Sequence, residues 1–133
     1  IESYKKTIFI IRIKPEIVGD FKNTYFLIGE AYYCLCLYQE AIESYKEAAE
    51  VTPNRAEVHF KLGCAYIKLN NYREAILFLL HSIKIKHDYA EAYFNLGYSY
   101  LQIGQKSYAV KVYQILQKLQ SSLAEKLFDE IYK

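Results

Sequence analysis

The sequence predicts an all-α fold built from repeated helix pairs, and three observations carry that prediction. Breakers are scarce, with 2 Pro and 5 Gly in 133 residues, which favours long helices over a turn-rich β fold. Short segments return at one fixed offset: Tyr38-Gln39-Glu40-Ala41-Ile42 as Tyr72-Arg73-Glu74-Ala75-Ile76, and Ala56-Glu57, Phe60, Leu62-Gly63 and Tyr66 as Ala90-Glu91, Phe94, Leu96-Gly97 and Tyr100. Recurrence at one fixed period is the mark of a repeat architecture. Finally, Gly29, Gly63 and Gly97 share one register. A mid-helix glycine costs about 1 kcal/mol against alanine, so three at one register imply the close approach of a second helix.

Composition narrows the class. Hydrophobic residues make up 53% and charged residues 24%, which excludes an extended disordered chain and suits one domain with its own core. A net charge of +2 is too small to make nucleic acid or an anionic membrane the main partner. No apolar run approaches the roughly 20 residues a spanning helix needs. The densest stretch, Ile8 to Ile11, is flanked by Lys5, Lys6, Arg12 and Lys14, and no signal-peptide pattern is present. Three cysteines are an odd number, which excludes a complete disulfide framework and points to a reducing compartment such as the cytoplasm. With 0 Met, the chain is expected to be a piece of a longer protein.

The elements follow in order. Ile1-Glu2-Ser3-Tyr4-Lys5-Lys6 nearly duplicates Ile42-Glu43-Ser44-Tyr45-Lys46-Glu47, so residues 1–13 read as the second helix of a preceding half-repeat, with 1–21 as that remnant and its connection. Its apolar residues Ile1, Tyr4, Ile8 and Ile11 are then poorly covered, through truncation or because they dock on another chain. The interval from Tyr4 to Tyr25 is longer than that from Tyr45 to His59. The surplus is about two helical turns, which predicts an early start for the next helix, with Pro15 in its first turn. First (A) helices are predicted at 22–35, 56–69 and 90–103, and second (B) helices at 38–51, 72–85 and 106–119. Asn70-Asn71 and Gly104 are turn residues that tolerate positive φ, and Thr52-Pro53-Asn54 breaks the chain between copies. Ala41, Ala75 and Ala109 supply the small surface facing the three glycines, with Tyr32, Tyr66 and Tyr100 filling the space beside it. Ser122 and Glu125 form a capping box for a last helix at 123–132. Leu123, Leu127, Phe128 and Ile131 lie on one of its faces, and Glu125, Lys126, Asp129, Glu130 and Lys133 on the other: a polar-backed cap of the kind a repeat array requires.

The full copies read Tyr25, Ile28-Gly29, Tyr32, Ala41, Tyr45, Pro53; then His59, Leu62-Gly63, Tyr66, Ala75, Leu79, His87; then Tyr93, Leu96-Gly97, Tyr100, Ala109, Tyr113, Ser121. This pattern resembles the tetratricopeptide repeat (TPR), a helix–turn–helix unit of about 34 residues. It departs at His59, Leu79, His87 and Ser121, none of which removes the small residues at the helix contact. The resemblance implies a right-handed α-solenoid of antiparallel helix pairs. Three units at 22–55, 56–89 and 90–123, the half-repeat and a capping helix at 122–133 form one domain over 1–133. It also implies an adaptor or scaffold without catalysis or cofactor, which takes a peptide or helix of a partner protein in the groove lined by the A helices.

By that resemblance the groove residues are Phe26, Glu30, Tyr33, Glu57, Phe60, Lys61, Cys64, Glu91, Phe94, Asn95 and Tyr98. Phe26, Phe60 and Phe94 recur at the repeat period as an apolar ladder, which serves either a ligand or repeat packing. Asn95 is placed to bond a peptide backbone or to stand in solvent. Co-chaperone members of the family hold a C-terminal carboxylate with lysines, asparagines and an arginine. The matching positions here are Phe26, Glu30, Lys61, Glu91 and Asn95, where a bound carboxylate meets Glu30 and Glu91, which argues against such tails.

The remaining candidates read as structural. Cys34, Cys36 and Cys64 match no closed zinc site and read as small packing residues. His59 reads as a buried, hydrogen-bonded histidine, and His81 and His87 lack a nucleophile or carboxylate constellation. Lys84-Ile85-Lys86-His87 reads as a solvated helix end with cations at the negative dipole end. No phosphate-binding glycine loop exists. Two other readings stand beside the interaction module: a self-assembly or spacer segment, homo-oligomeric through residues 1–13, and a non-catalytic appendage of a larger enzyme.

Overall fold

The computed structural model describes residues 23–133, so the half-repeat at 1–13 and Pro15 lie outside the described residues. Among these the chain forms seven α-helices and no strand: α1 (Thr24–Cys34), α2 (Tyr38–Val51), α3 (Ala56–Lys68), α4 (Tyr72–Ile85), α5 (Ala90–Gln102), α6 (Lys106–Lys118) and α7 (Leu123–Ile131). Each helix predicted within 22–133 is present, within one or two residues at either end; α1 begins at Thr24 with Asn23 as its cap, so it lacks the early start that the long interval after Tyr4 suggests. The chain divides into two compact units, Ile1–Asn54 and Arg55–Lys133.

The turns within each pair are built alike. Cys36, Asn70 and Gly104 hold φ of 60°, 60° and 80°. After each, the next N–H reaches back over the turn, as Leu37 to the Tyr32 carbonyl (2.9 Å), Asn71 to Tyr66 (2.9 Å) and Gln105 to Tyr100 (2.8 Å). This is the left-handed helix stop in which otherwise orphaned carbonyls are satisfied. Glycine and asparagine are the expected occupants, and Cys36 takes the same conformation without being either.

In the first unit α2 packs on α1, with Ala41, Ile42, Tyr45 and Ala48 at 0–1% exposure. The second unit holds a core running through Leu79, Leu96, Val112, Leu116 and Leu127. There α3 packs on α4, α4 on α5, α5 on α6, and α7 against both α5 and α6. Ser82, fully buried near the end of α4, donates to the Ala56 carbonyl at the start of α3 (2.9 Å), which pins that pair antiparallel.

The glycines do mark close helix approach, but large side chains stand nearest to them; of the alanines only Ala75 faces its glycine, its carbonyl 3.4 Å from a Cβ built at Gly63. A Cβ at Gly29 would lie 2.6 Å from the Tyr45 ring, and one at Gly63 2.7 Å from Leu79 Cγ. These side chains stand one helical turn beyond Ala41 and Ala75. Ala41, Ala75 and Ala109 are themselves fully buried. Tyr66 stacks on Phe78 with centroids 5.5 Å apart, and Tyr100 on Tyr108 at 5.2 Å. Tyr32 packs against Ile28.

The third copy breaks the rule. At Gly97 the facing atoms are Leu127 Cδ2 at 2.7 Å and Val112 Cγ1 at 3.3 Å, so α7 fills the notch that a B-helix residue fills in the earlier copies. Tyr113 is left half-buried, its hydroxyl accepting from the Gln117 amide (2.8 Å). The start of α7 also differs from expectation. Ser122 makes no side-chain cap bond and is already helical. Instead the Ser121 hydroxyl accepts from the Leu123 N–H (3.1 Å), because Gln120 at φ 55° brings the following serine to the open helix end.

Candidate functional site

Positions i, i+3, i+4 and i+7 share one helix face. On α3 these are Glu57, Phe60, Lys61 and Cys64, and on α5 Glu91, Phe94, Asn95 and Tyr98. All eight keep solvent contact: Glu57 and Glu91 are exposed, and the other six are half-buried. The packing residues Leu62, Gly63, Leu96 and Gly97 on the same helices are buried. Each helix therefore turns one face to its partner and keeps the other for solvent.

The second unit brings two predicted residues together directly. The Asn95 amide donates to Cys64 Sγ (3.2 Å) and so ties α5 to α3. Phe60 lies 4.9 Å from the Tyr89 ring, and Tyr98 6.1 Å from Tyr72 in an edge-on pair. Burial, then Tyr98, raises the Tyr72 phenol above its usual range. Arg55 pairs with Glu57 at 3.4 Å across exposed side chains, a contact of small energetic weight.

The first unit departs from the expected ladder. Phe26 is only 5% exposed and sits 5.7 Å from the Tyr45 ring, so it is a core residue there. Glu30 accepts a hydrogen bond from the Tyr45 hydroxyl, and Tyr33 is edge-on to Tyr38 at 5.3 Å. The cause is Tyr45: its ring faces the Gly29 notch, meets Phe26 beside it, and carries its hydroxyl on to Glu30.

Two further expectations are corrected. Cys34 and Cys36 are exposed and only Cys64 is half-buried, so the first two do not pack as small core residues; they lie at the end of α1, where the chain turns. The Cys36 thiol, followed by burial, raises the Tyr38 phenol. Phe128 is not on the buried face of the last helix but 44% exposed. His59 is buried, its ring 4.1 Å from that of His81 and 6.5 Å from Phe78. Among the described residues no three His, Cys, Asp or Glu gather as metal ligands, and no helix is long and apolar enough to cross a membrane.

Phe128 belongs to a face that the repeat reading stopped short of. Ala56-Glu57-x-x-Phe60 and Ala90-Glu91-x-x-Phe94 return once more as Ala124-Glu125-x-x-Phe128, at the same offset. The structure repeats the neighbours too. Tyr72 beside Tyr98 is matched one period later by Lys106, whose Nζ lies 4.8 Å from the Tyr132 ring centroid. Helix α7 thus packs where a further A helix would. The Ala-Glu-x-x-Phe signal was present in the sequence, but the amphipathic pattern of a terminal cap masked it. Ile131 stands where the earlier copies have glycine and is buried.

The family model described as TPR repeat matches residues 38–70 and 63–104, and the one described as Tetratricopeptide repeat matches 91–122. No curated protein matches the chain. Among solved structures, the second TPR domain of human RPAP3, in complex with the HSP70 peptide SGPTIEEVD, is 19% identical at a TM-score of 0.77, covering 84% of this chain and 98% of that one. The TPR2B domain of yeast Sti1, in a complex with pHsp70, is 19% identical at a TM-score of 0.77 over 84% and 92%. MamA is 23% identical at 0.77 and covers 98% of this chain and 84% of its own. Repeat register, helix pairing and family matches agree: the chain belongs to the tetratricopeptide repeat family, as an all-α array of helix pairs.

Proposed function

We propose that this chain is a non-catalytic protein-interaction module that binds a peptide or helical segment of a partner on its A-helix face. One observation carries the reading: on α3 and α5 the packing positions Leu62, Gly63, Leu96 and Gly97 are buried, while every position of the opposite face, Phe60 and Phe94 included, keeps solvent contact. Half-buried phenylalanines held at a fixed repeat on rigid helices are preformed contact area for a helix or strand of another protein. The solved relatives that hold chaperone peptides support a peptide in this place. The HSP70 peptide SGPTIEEVD is acidic, whereas this chain presents Glu57 and Glu91 on the face and carries Glu30 on α1, at the register of Cys64 and Tyr98, so a different sequence class is expected here.

The test is capture of partners by the wild-type chain beside a variant carrying Phe60→Ser and Phe94→Ser, with helicity checked by circular dichroism. Phe26 is left in place because it is core. A protein retained by the wild type and lost from a folded variant supports the face. Equal retention by both overturns it and moves the interaction to the B helices or to residues 1–13.

A further inference from the structure

Two of the chain's three histidines meet across the α3–α4 pair. His59 on α3 is buried at 7% exposure, and His81 on α4 is exposed. Their ring centroids are 4.1 Å apart, with the planes at 39°. The repeat itself demands neither residue. One period away on either side the same two positions hold Tyr25 with Glu47, and Tyr93 with Ile115. Packing therefore accepts a tyrosine at the buried position and an acid or an apolar residue at the open one. The pair is also held in place. Phe78 stacks on His59 at 15° and on Tyr66 at 7°. The Ser82 hydroxyl, next in sequence to His81, donates to the carbonyl of Ala56, three residues before His59 (2.9 Å). The register of α3 on α4 is thus fixed beside the two rings.

We propose that His59 and His81 are two ligands of a divalent late first-row transition ion, of the nickel or copper type. Neutral imidazole is the commonest protein ligand for such ions. An ion about 2.0–2.1 Å from one nitrogen of each ring stands about 3.2 Å from each centroid. Ligands at right angles then set the centroids about 4.5 Å apart, and tetrahedral ligands about 5.2 Å. The observed 4.1 Å lies nearer the first, so adjacent corners of a square-planar or octahedral ion fit the pair better than a closed tetrahedral zinc site. Exposed His81 gives the ion an entry path and leaves the other corners to water. By helical register the neighbouring cations are Arg55, paired with Glu57 at 3.4 Å, and the exposed Lys84; solvent screens both. His59 belongs to the buried stripe of α3, so the site is separate from the open face of Phe60 and Phe94, and the ion clamps α3 to α4.

The test is a calorimetric titration of the untagged full chain with nickel(II) chloride at neutral pH, with the thermal midpoint read alongside. Nickel is the probe because copper(II) oxidises exposed thiols such as Cys34 and Cys36. One equivalent is expected to bind and to raise the midpoint, since the ion joins the two helices only in the folded state. His81→Phe keeps a ring at an exposed position and should weaken binding about tenfold or more. His59→Tyr, which installs the residue of the neighbouring copies, should do the same. His87→Ala, and Cys34→Ser combined with Cys36→Ser, should leave both quantities unchanged. Absence of binding overturns the proposal and leaves the two rings an aromatic stack. Binding that His81→Phe does not weaken, or that the cysteine variant abolishes, overturns it as well. If His59→Tyr fails to fold, His81→Phe decides alone.

Discussion

At the residue scale, the glycine notches show how one missing Cβ governs a helix pair. A methyl at Gly29 would meet the Tyr45 ring at 2.6 Å, one at Gly63 the Leu79 branch point at 2.7 Å, and one at Gly97 the methyl tips of Leu127 at 2.7 and 3.0 Å. Alanine gains about 1 kcal/mol of helix propensity against an overpacking cost of roughly 1–3 kcal/mol. A rigid, fully buried ring yields least and a leucine tip most. Urea unfolding should therefore rank Gly29→Ala as the most destabilising, by about 1–2 kcal/mol net, then Gly63→Ala, with Gly97→Ala near neutral. The tyrosines set an alkaline limit. Tyr93 is raised above 10.0 by burial and then by the Asp88 charge, and Tyr100 by burial and then by Tyr108. Their neutral forms are favoured in the fold, so the unfolded chain releases these protons first as pH climbs. Stability is full below the unfolded value near 10 and falls as pH rises toward the folded values. Tyr93→Phe should flatten that decline, even though it removes the hydroxyl's bond to the His87 carbonyl (3.0 Å).

At the element scale, the four left-handed stops decide where helices turn back, and the last one also starts α7. After Gln120 the Ser121 N–H returns to the Leu116 carbonyl (3.2 Å), while the Ser121 hydroxyl satisfies the Leu123 N–H. Ser121→Ala should cost about 1 kcal/mol, the usual worth of such a helix-start bond, and should speed amide exchange in α7 before the rest of the unit. Ser122→Ala should change neither quantity, since that side chain makes no cap bond. The reverse result would restore the capping box read from Ser122 and Glu125.

At the scale of the whole molecule, a repeat array is stabilised by contacts between neighbours, so its ends need covering. In the Arg55–Lys133 unit that cover is α7. Leu127 is fully buried and Ile131 nearly so. Leu127→Ala empties the Gly97 notch and should cost about 2–5 kcal/mol, read as a lower denaturant midpoint. Gly97→Leu in the same background should not restore it, because a side chain built on α5 points at Val112 as well. The same helix carries Phe128 and Tyr132 outward. The buried cap and the exposed aromatic side are therefore two faces of one element.

The helices, their register and their family were all legible in the order of residues along the chain. A constant repeat period, glycines at one position and few breakers leave little freedom for local structure. The open residues of α3 and α5 were legible too, because helical spacing separates a packing stripe from the face behind it. Which large side chain enters each notch was settled by the assembled fold. Tyr45 and Leu79 do so from within their own repeats and Leu127 from the next helix, and that choice depends on packing between elements rather than on spacing along one. The same packing withdrew Phe26 into the core, since Tyr45 lies against it. It also exposed Phe128, since α7 turns Leu127 and Ile131 inward. An amphipathic pattern says which residues are apolar, but only the neighbouring helices say which of them is covered.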